Sequence, residues 1–182
     1  MMGTSSARDL VNDPVQSNRP FLSSVRAQAA CARELGRLGD EVERGIEALG
    51  GAVQDEKVTV RRSPDRFIIQ LGPVALTFAW LRGNQEAVAS GELLVIGWRG
   101  EVAPRKNHSP ERPTRGPASL GATPLWEEVL TPIGESEETL GWHSPAADIG
   151  RCTSIELAAR CVSRLQAAYL EGDAAVGKPV VT

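Results

Sequence analysis

Between Lys57 and Val102 the chain is written in a period of two, and this block separates two stretches written in the helical period. Alternating apolar residues over short runs specify half-buried strands, and spacings of three and four specify an amphipathic helix. The block divides into Lys57–Arg62, Arg66–Leu71, Val74–Leu81 and Gln85–Arg99, the last being one long strand or two joined at a bulge near Gly91. Ser63-Pro64-Asp65, Gly72-Pro73 and Arg82-Gly83-Asn84 connect them. Connections this short cannot cross over a sheet, so the strands must form an antiparallel meander.

Before the block, Cys31, Leu35, Leu38, Val42, Ile46 and Leu49 form one helical stripe that starts at Ser23 or Ser24 and stops at Gly50-Gly51. Gly36, Gly39 and Gly45 weaken that helix. With Ala29 and Ala32, Gly36 and Gly39 also make a ridge of small residues that another backbone can approach closely. After the block, Thr153-Ser154-Ile155-Glu156 reads as a capping box. It opens a helix whose apolar face is Ile155, Ala158, Cys161, Val162, Leu165, Ala168 and Tyr169, and which Gly172 should end.

The two faces of the sheet should differ. Phe67, Ile69, Leu76, Phe78, Trp80, Ile96 and Trp98 are large and suit packing against the helices. Ile68, Ala75, Thr77, Ala79, Leu81, Leu93 and Val95 would form a second, smaller, semi-apolar face unlike the polar outer face of a solvated sheet. Something should cover it: the chain's own loop, a helix or a second subunit. Thr77, Ala79, Leu81, Leu93 and Val95 are therefore the candidate protein interface.

Seven prolines punctuate residues 104–152, whose first part is basic and whose later part is acidic. The expectation is an irregular, partly mobile excursion that re-docks through Trp126 and Trp142 as a short hairpin or helical turn. The fold class is α+β in two layers. An antiparallel meander of about four or five strands is flanked by an N-terminal and a C-terminal amphipathic helix. Residues 1–22 form a flexible tail, 23–172 the single domain and 173–182 a second tail.

Composition narrows the function classes. The 182 residues carry a formal net charge of −3, so there is no global attraction to nucleic acid. No apolar run approaches the roughly 20 residues of a membrane span, and the polar N-terminus lacks a secretory core. Three cysteines, Cys31, Cys152 and Cys161, read as buried thiols in a reducing, cytoplasmic setting. Gly172–Pro179 imitates a phosphate-binding loop, but Pro179 stands where Ser or Thr must ligate magnesium, and a helix precedes it instead of a strand. His108 and His143 have no spacing partner for a metal. Asn107-His108-Ser109 is a glycosylation sequon without meaning in the cytoplasm. No nucleophile elbow exists, and Asp65, Glu92 and Glu101 are not marked as a pair. No catalytic residue, cofactor or metal ligand is assigned.

Arg61, Arg62, Arg66, Arg82, Arg99, Arg105 and Lys106 cluster in the block and the loop after it. With Trp80 or Trp98 exposed they would suit a single-stranded nucleic acid; with both rings in the core they are edge solubilisers. The leading expectation is a non-enzymatic accessory module that self-associates or binds another protein. A nucleic-acid-binding accessory protein is the first alternative, and an enzyme with a cleft between sheet and loop the second.

Overall fold

A computed structural model places residues 19–49, 58–81, 87–102, 121–145 and 150–176, and the description is confined to these. The helix stop at Gly50-Gly51, the turn Arg82-Gly83-Asn84, and Arg82, Arg105, Lys106 and His108 lie outside the described residues, as does the end of the Gly172–Pro179 motif.

The order is α1 (Arg19–Leu22), α2 (Val25–Ala48), β1 (Val58–Ser63), β2 (Arg66–Leu71), β3 (Val74–Leu81), a 3₁₀ turn (Val88–Ser90), β4 (Glu92–Arg99), β5 (Thr123–Ile133), β6 (Gly141–His143), β7 (Arg151–Cys152) and α3 (Ser154–Val176). The strands form one seven-stranded sheet in the order β1-β2-β3-β4-β5-β6-β7, with every neighbouring pair antiparallel. The α+β class and the meander stand as expected, with more strands. Residues 104–152, expected to be irregular, contribute β5, β6 and β7. Pro124, Pro132, Glu127 and Glu128 hide the alternation of β5 in the sequence. The re-docking hairpin is β5–β6, in which Pro132 pairs with Trp142.

The turns follow their chemistry. Ser63 pairs with Arg66 across Pro64-Asp65, and the Ser63 hydroxyl donates to the Asp65 carboxylate (3.2 Å) and to the Arg66 carbonyl (3.0 Å). Gly72 takes the positive φ of 50° that a tight Gly-Pro hairpin requires between Leu71 and Val74.

Ser24 caps α2, its hydroxyl accepting from the Ala27 amide at 3.2 Å. Arg19–Leu22, expected in the tail, form a helical turn that buries Leu22. The capping box of α3 forms. The Thr153 amide donates to Glu156 Oε2 (2.8 Å), and the Glu156 amide donates to Thr153 Oγ1 (3.2 Å). The bonds to the carboxylate, from the Thr153 amide and from the Thr153 hydroxyl (2.9 Å), hold the Glu156 carboxyl below its ordinary range. Their stabilising effect is present above that range and fades as pH falls through the lowered value. Gly172 does not end α3, which continues to Val176. A Cβ at Gly172 would lie 3.0 Å from Arg99 Nη1, so this glycine admits a guanidinium against the helix.

Both long helices cover the same side of the sheet. Leu38, Val42 and Ile46 of α2 and Leu157, Cys161 and Leu165 of α3 share one core with Ile69, Leu76, Phe78, Leu93, Val95 and Leu130. Phe67 stacks on Phe78 with ring centroids 4.3 Å apart. On this side Glu128 of β5 meets Arg160 of α3 at 2.6 Å, and Arg164 lies 3.8 Å over the Trp126 ring. Trp126 reaches that position by lying across Gly97, where a Cβ would collide with its indole. Gly97→Val should therefore destabilise the protein by about 1–3 kcal/mol through overpacking. The check is the urea midpoint, with loss of the native Trp fluorescence signal.

Candidate functional site

The register fixes what lies on the opposite side. Arg61 of β1, Ile68 of β2, Thr77 of β3, Ile96 of β4 and Glu127 of β5 pair in succession and form one row across the sheet. The next row is Thr59, Gln70, Ala75, Trp98 and Pro124. The row on the other flank is Ser63, Arg66, Ala79, Leu94 and Val129. Ile68, Leu94, Ile96, Trp98 and Val129 are half-buried and belong to no part of the helix-side core. Ala75, Thr77 and Ala79 are buried, small and flanked by these larger side chains. The described helix–sheet contacts all leave from the other face, so no described helix covers this one; residues 100–102 lie against its β1–β2 corner through Gln70 and Arg61.

Leu93 and Val95 do not belong to it. Both are wholly buried under the helices, paired with Trp80 and Phe78. Ile96 and Trp98, expected on the helix side, lie on the uncovered side together with Thr77, Ala79 and Leu81. Glu92–Arg99 alternates one apolar set with another, so its period gives no phase. Pairing with β3 sets the phase.

The uncovered face carries hydrogen bonds among its own polar groups. Trp98 Nε1 donates to Thr77 Oγ1 at 3.0 Å, laying the indole along the sheet. Gln70 donates to the carbonyls of Gly72 (2.7 Å), Val74 (3.1 Å) and Gly100 (3.2 Å) and accepts from the Val102 amide (3.1 Å). Its amide thereby closes the β2–β3 and β4 ends of the face. Charges stand only at the margins: Arg61 and Arg66 on the β1–β2 side, Glu92 and Glu127 on the β4–β5 side. Arg61 donates to the Val102 carbonyl at 3.2 Å, and among the described residues Arg66 and Glu127 form no ion pair.

The four described members of the basic set, Arg61, Arg62, Arg66 and Arg99, do not converge. Arg62 lies on the helix side, bonded to Asp40 (2.9 Å) and Glu43 (2.7 Å). The Glu43 hydrogen bond first, and then that of Asp40, holds its charge more firmly, against a cost from burial. Arg99 also faces the helices and donates to the Ala168 carbonyl at 3.4 Å. Only Arg61 and Arg66 flank the uncovered face. Trp80 and Trp98 point to opposite sides.

A cleft of about 230 Å³ opens between α2 and the β1–β2 turn, with Leu35, Gly36, Gly39, Phe67, Phe78 and Trp80 among its lining. It uses the small-residue ridge of α2: a Cβ at Gly39 would sit 3.3 Å from the Arg62 guanidinium. Its floor is apolar, and at its mouth Arg62 is engaged by Asp40 and Glu43 and Asp65 accepts from Ser63. Farther off, Trp142 Nε1 donates to Ser154 Oγ (3.0 Å), which donates to Glu34 Oε2 (2.6 Å). These bonds tie β6, α3 and α2 together, with no histidine in the set.

Among the described residues no cluster of histidine, cysteine, aspartate and glutamate has the grouping of a metal site, and no helix is long and apolar enough to cross a membrane. Cys31, Cys152 and Cys161 form no disulfide, and all three are buried. Burial pushes Cys161 up to about 12 and raises Cys152. The thiolate is the reactive form, so the native protein should react with a thiol reagent slower than the urea-unfolded chain by about 100-fold or more. Stopped-time labelling read by intact mass checks this. No family model, curated protein or solved structure matches this chain.

Proposed function

We propose that this chain is a non-enzymatic accessory module that works through protein–protein contacts made by the uncovered face of its sheet. One observation carries the reading. A face with half-buried Ile68, Leu94, Ile96, Trp98 and Val129 on it, and charge at its margins, is left without a helix among the described residues. Monomeric proteins rarely leave a contiguous apolar patch of this kind without a use for it. The composition fits the centre-and-rim pattern of interfaces, with an aromatic and aliphatic middle and a charged border. Three buried cysteines without a disulfide agree with a reducing compartment such as the cytoplasm.

Nucleic-acid binding is less supported, because Arg62 and Arg99 face the helices with their charges engaged and Arg61 and Arg66 alone are not a backbone-tracking groove. An enzyme using the α2 cleft is less supported as well, because its apolar floor carries no acid–base pair or nucleophile at reacting distance.

The test places a photo-crosslinking amino acid at Ile96 and, as a control, at Ile155, an exposed apolar position on α3 (49% exposed). Irradiation of the cells that make the protein should give a discrete adduct between chains from position 96 and none from position 155. Equal background from both positions overturns the reading, as does a link from position 96 within the same chain.

A further inference from the structure

The uncovered face reads nearly the same from either side. Its central row is Arg61, Ile68, Thr77, Ile96, Glu127, with a cation at one end, an anion at the other, and isoleucines flanking a central threonine. An isologous interface requires a surface complementary to itself, residue i meeting j while j meets i. A two-fold axis lying in the plane of the face and running close to β3 satisfies this. It carries β1 over β5, β2 over β4 and β3 over itself. Arg61 then stands over Glu127 of the second copy and Ile68 over Ile96, each contact occurring twice, and Thr77 meets Thr77 once on the axis.

We infer that the occupant of this face is a second copy of the chain, packed sheet on sheet about that axis. The inference rests on the preceding reading and names the partner. Aligned sheets pack about 10 Å apart with strands inclined by about 30°, a gap that an arginine and a glutamate reaching toward each other can span. The neighbouring rows obey the same operation. Gln70 falls over Trp98, Ala75 over Ala75 and Ala79 over Ala79, so the small residues of β3 meet at the axis. Arg66 falls over Leu94 with Glu92 next to it along the strand.

The area is sufficient. Five strands about 4.8 Å apart and about 24 Å long present roughly 600 Å² per copy, near the lower bound of stable interfaces. The connection between β4 and β5 offers a poorer cover by composition. Between Val102 and Gly121 its only apolar side chains besides proline are Ala103, Ala118 and Leu120, among Arg105, Lys106, Arg112 and Arg115.

The closing experiment is a charge swap read by sedimentation equilibrium on the full chain over a concentration series. Arg61→Glu and Glu127→Arg should each raise the dimer dissociation constant roughly tenfold or more, because each reversal sets two like-charge contacts in the dimer. The double variant should return to near the wild-type value. Arg61→Glu with Glu92→Arg should not, since those positions do not face each other. Near-ultraviolet circular dichroism of the monomer confirms that the variants fold. A dimer whose affinity the swap does not restore overturns the two-fold arrangement. A wild-type chain that stays monomeric up to about 1 mM overturns the second copy as occupant. In that event an adduct from position 96 to a different protein would leave the interaction reading standing, and its absence would remove both.

Discussion

Both long helices lie against one face of the sheet, and everything else about the molecule follows from that asymmetry. Two amphipathic helices packed side by side need a floor, and β2, β3 and β4 supply it with Ile69, Leu76, Phe78, Leu93 and Val95. The helices also pack on each other, and a Cβ at Gly45 of α2 would touch Val162 of α3 at 3.0 Å. Neither helix is then free to cross to the far side. A sheet whose strands alternate apolar residues on both faces is thus half satisfied, and the remaining half determines how the chain meets its surroundings.

The part of the sheet contributed after residue 121 is secured by charge and aromatic contacts as well as by aliphatic packing. Glu128 is nearly buried, at 9% side-chain exposure, and meets Arg160 at 2.6 Å and Arg164 at 3.6 Å. A carboxylate taken so far out of water is tolerated because its partners come with it. Arg164 in turn covers Trp126, whose ring needs the bare backbone of Gly97 beneath it. At the other end of the hairpin, Trp142 is fully buried and its indole N–H is satisfied by Ser154, the first residue of α3. One tryptophan on each of β5 and β6 thus fastens that strand to the last helix.

Much of this was legible in the sequence, and the failures have physical causes. The stripe from Cys31 to Leu49, the capping box at Thr153 and the short Gly-Pro turn each depend on local chemistry and appear where expected. The face assignment of β4 depends on something nonlocal. Leu93 and Val95 are apolar, and so are Leu94, Ile96 and Trp98, so either set could have met the helices. Pairing with β3 after the 3₁₀ turn at Val88–Ser90 decides the phase, and a single step reverses every side chain. β5 was concealed because a partly buried Glu128 reads as polar until Arg160 is brought to it from α3. Gly172 looked like a helix stop because its role belongs to Arg99, a residue distant in the chain. Thr77, Ala79 and Leu81 therefore lie on the face away from the helices, and Leu93 and Val95 lie beneath the helices.

The strand order has a consequence for how the chain comes to be folded. Each strand pairs with its immediate successor, so the sheet can grow hairpin by hairpin from local contacts, which form quickly. The helix pair is the opposite case. α2 is made early, and the partner that flanks it, α3, is the last described element to be made. Until then Val42 and Ile46 have no α3 beside them and Trp142 lacks Ser154. A chain emerging from the ribosome therefore carries a nearly complete sheet with an apolar surface open on both sides. It is most at risk of wrong association before α3 docks.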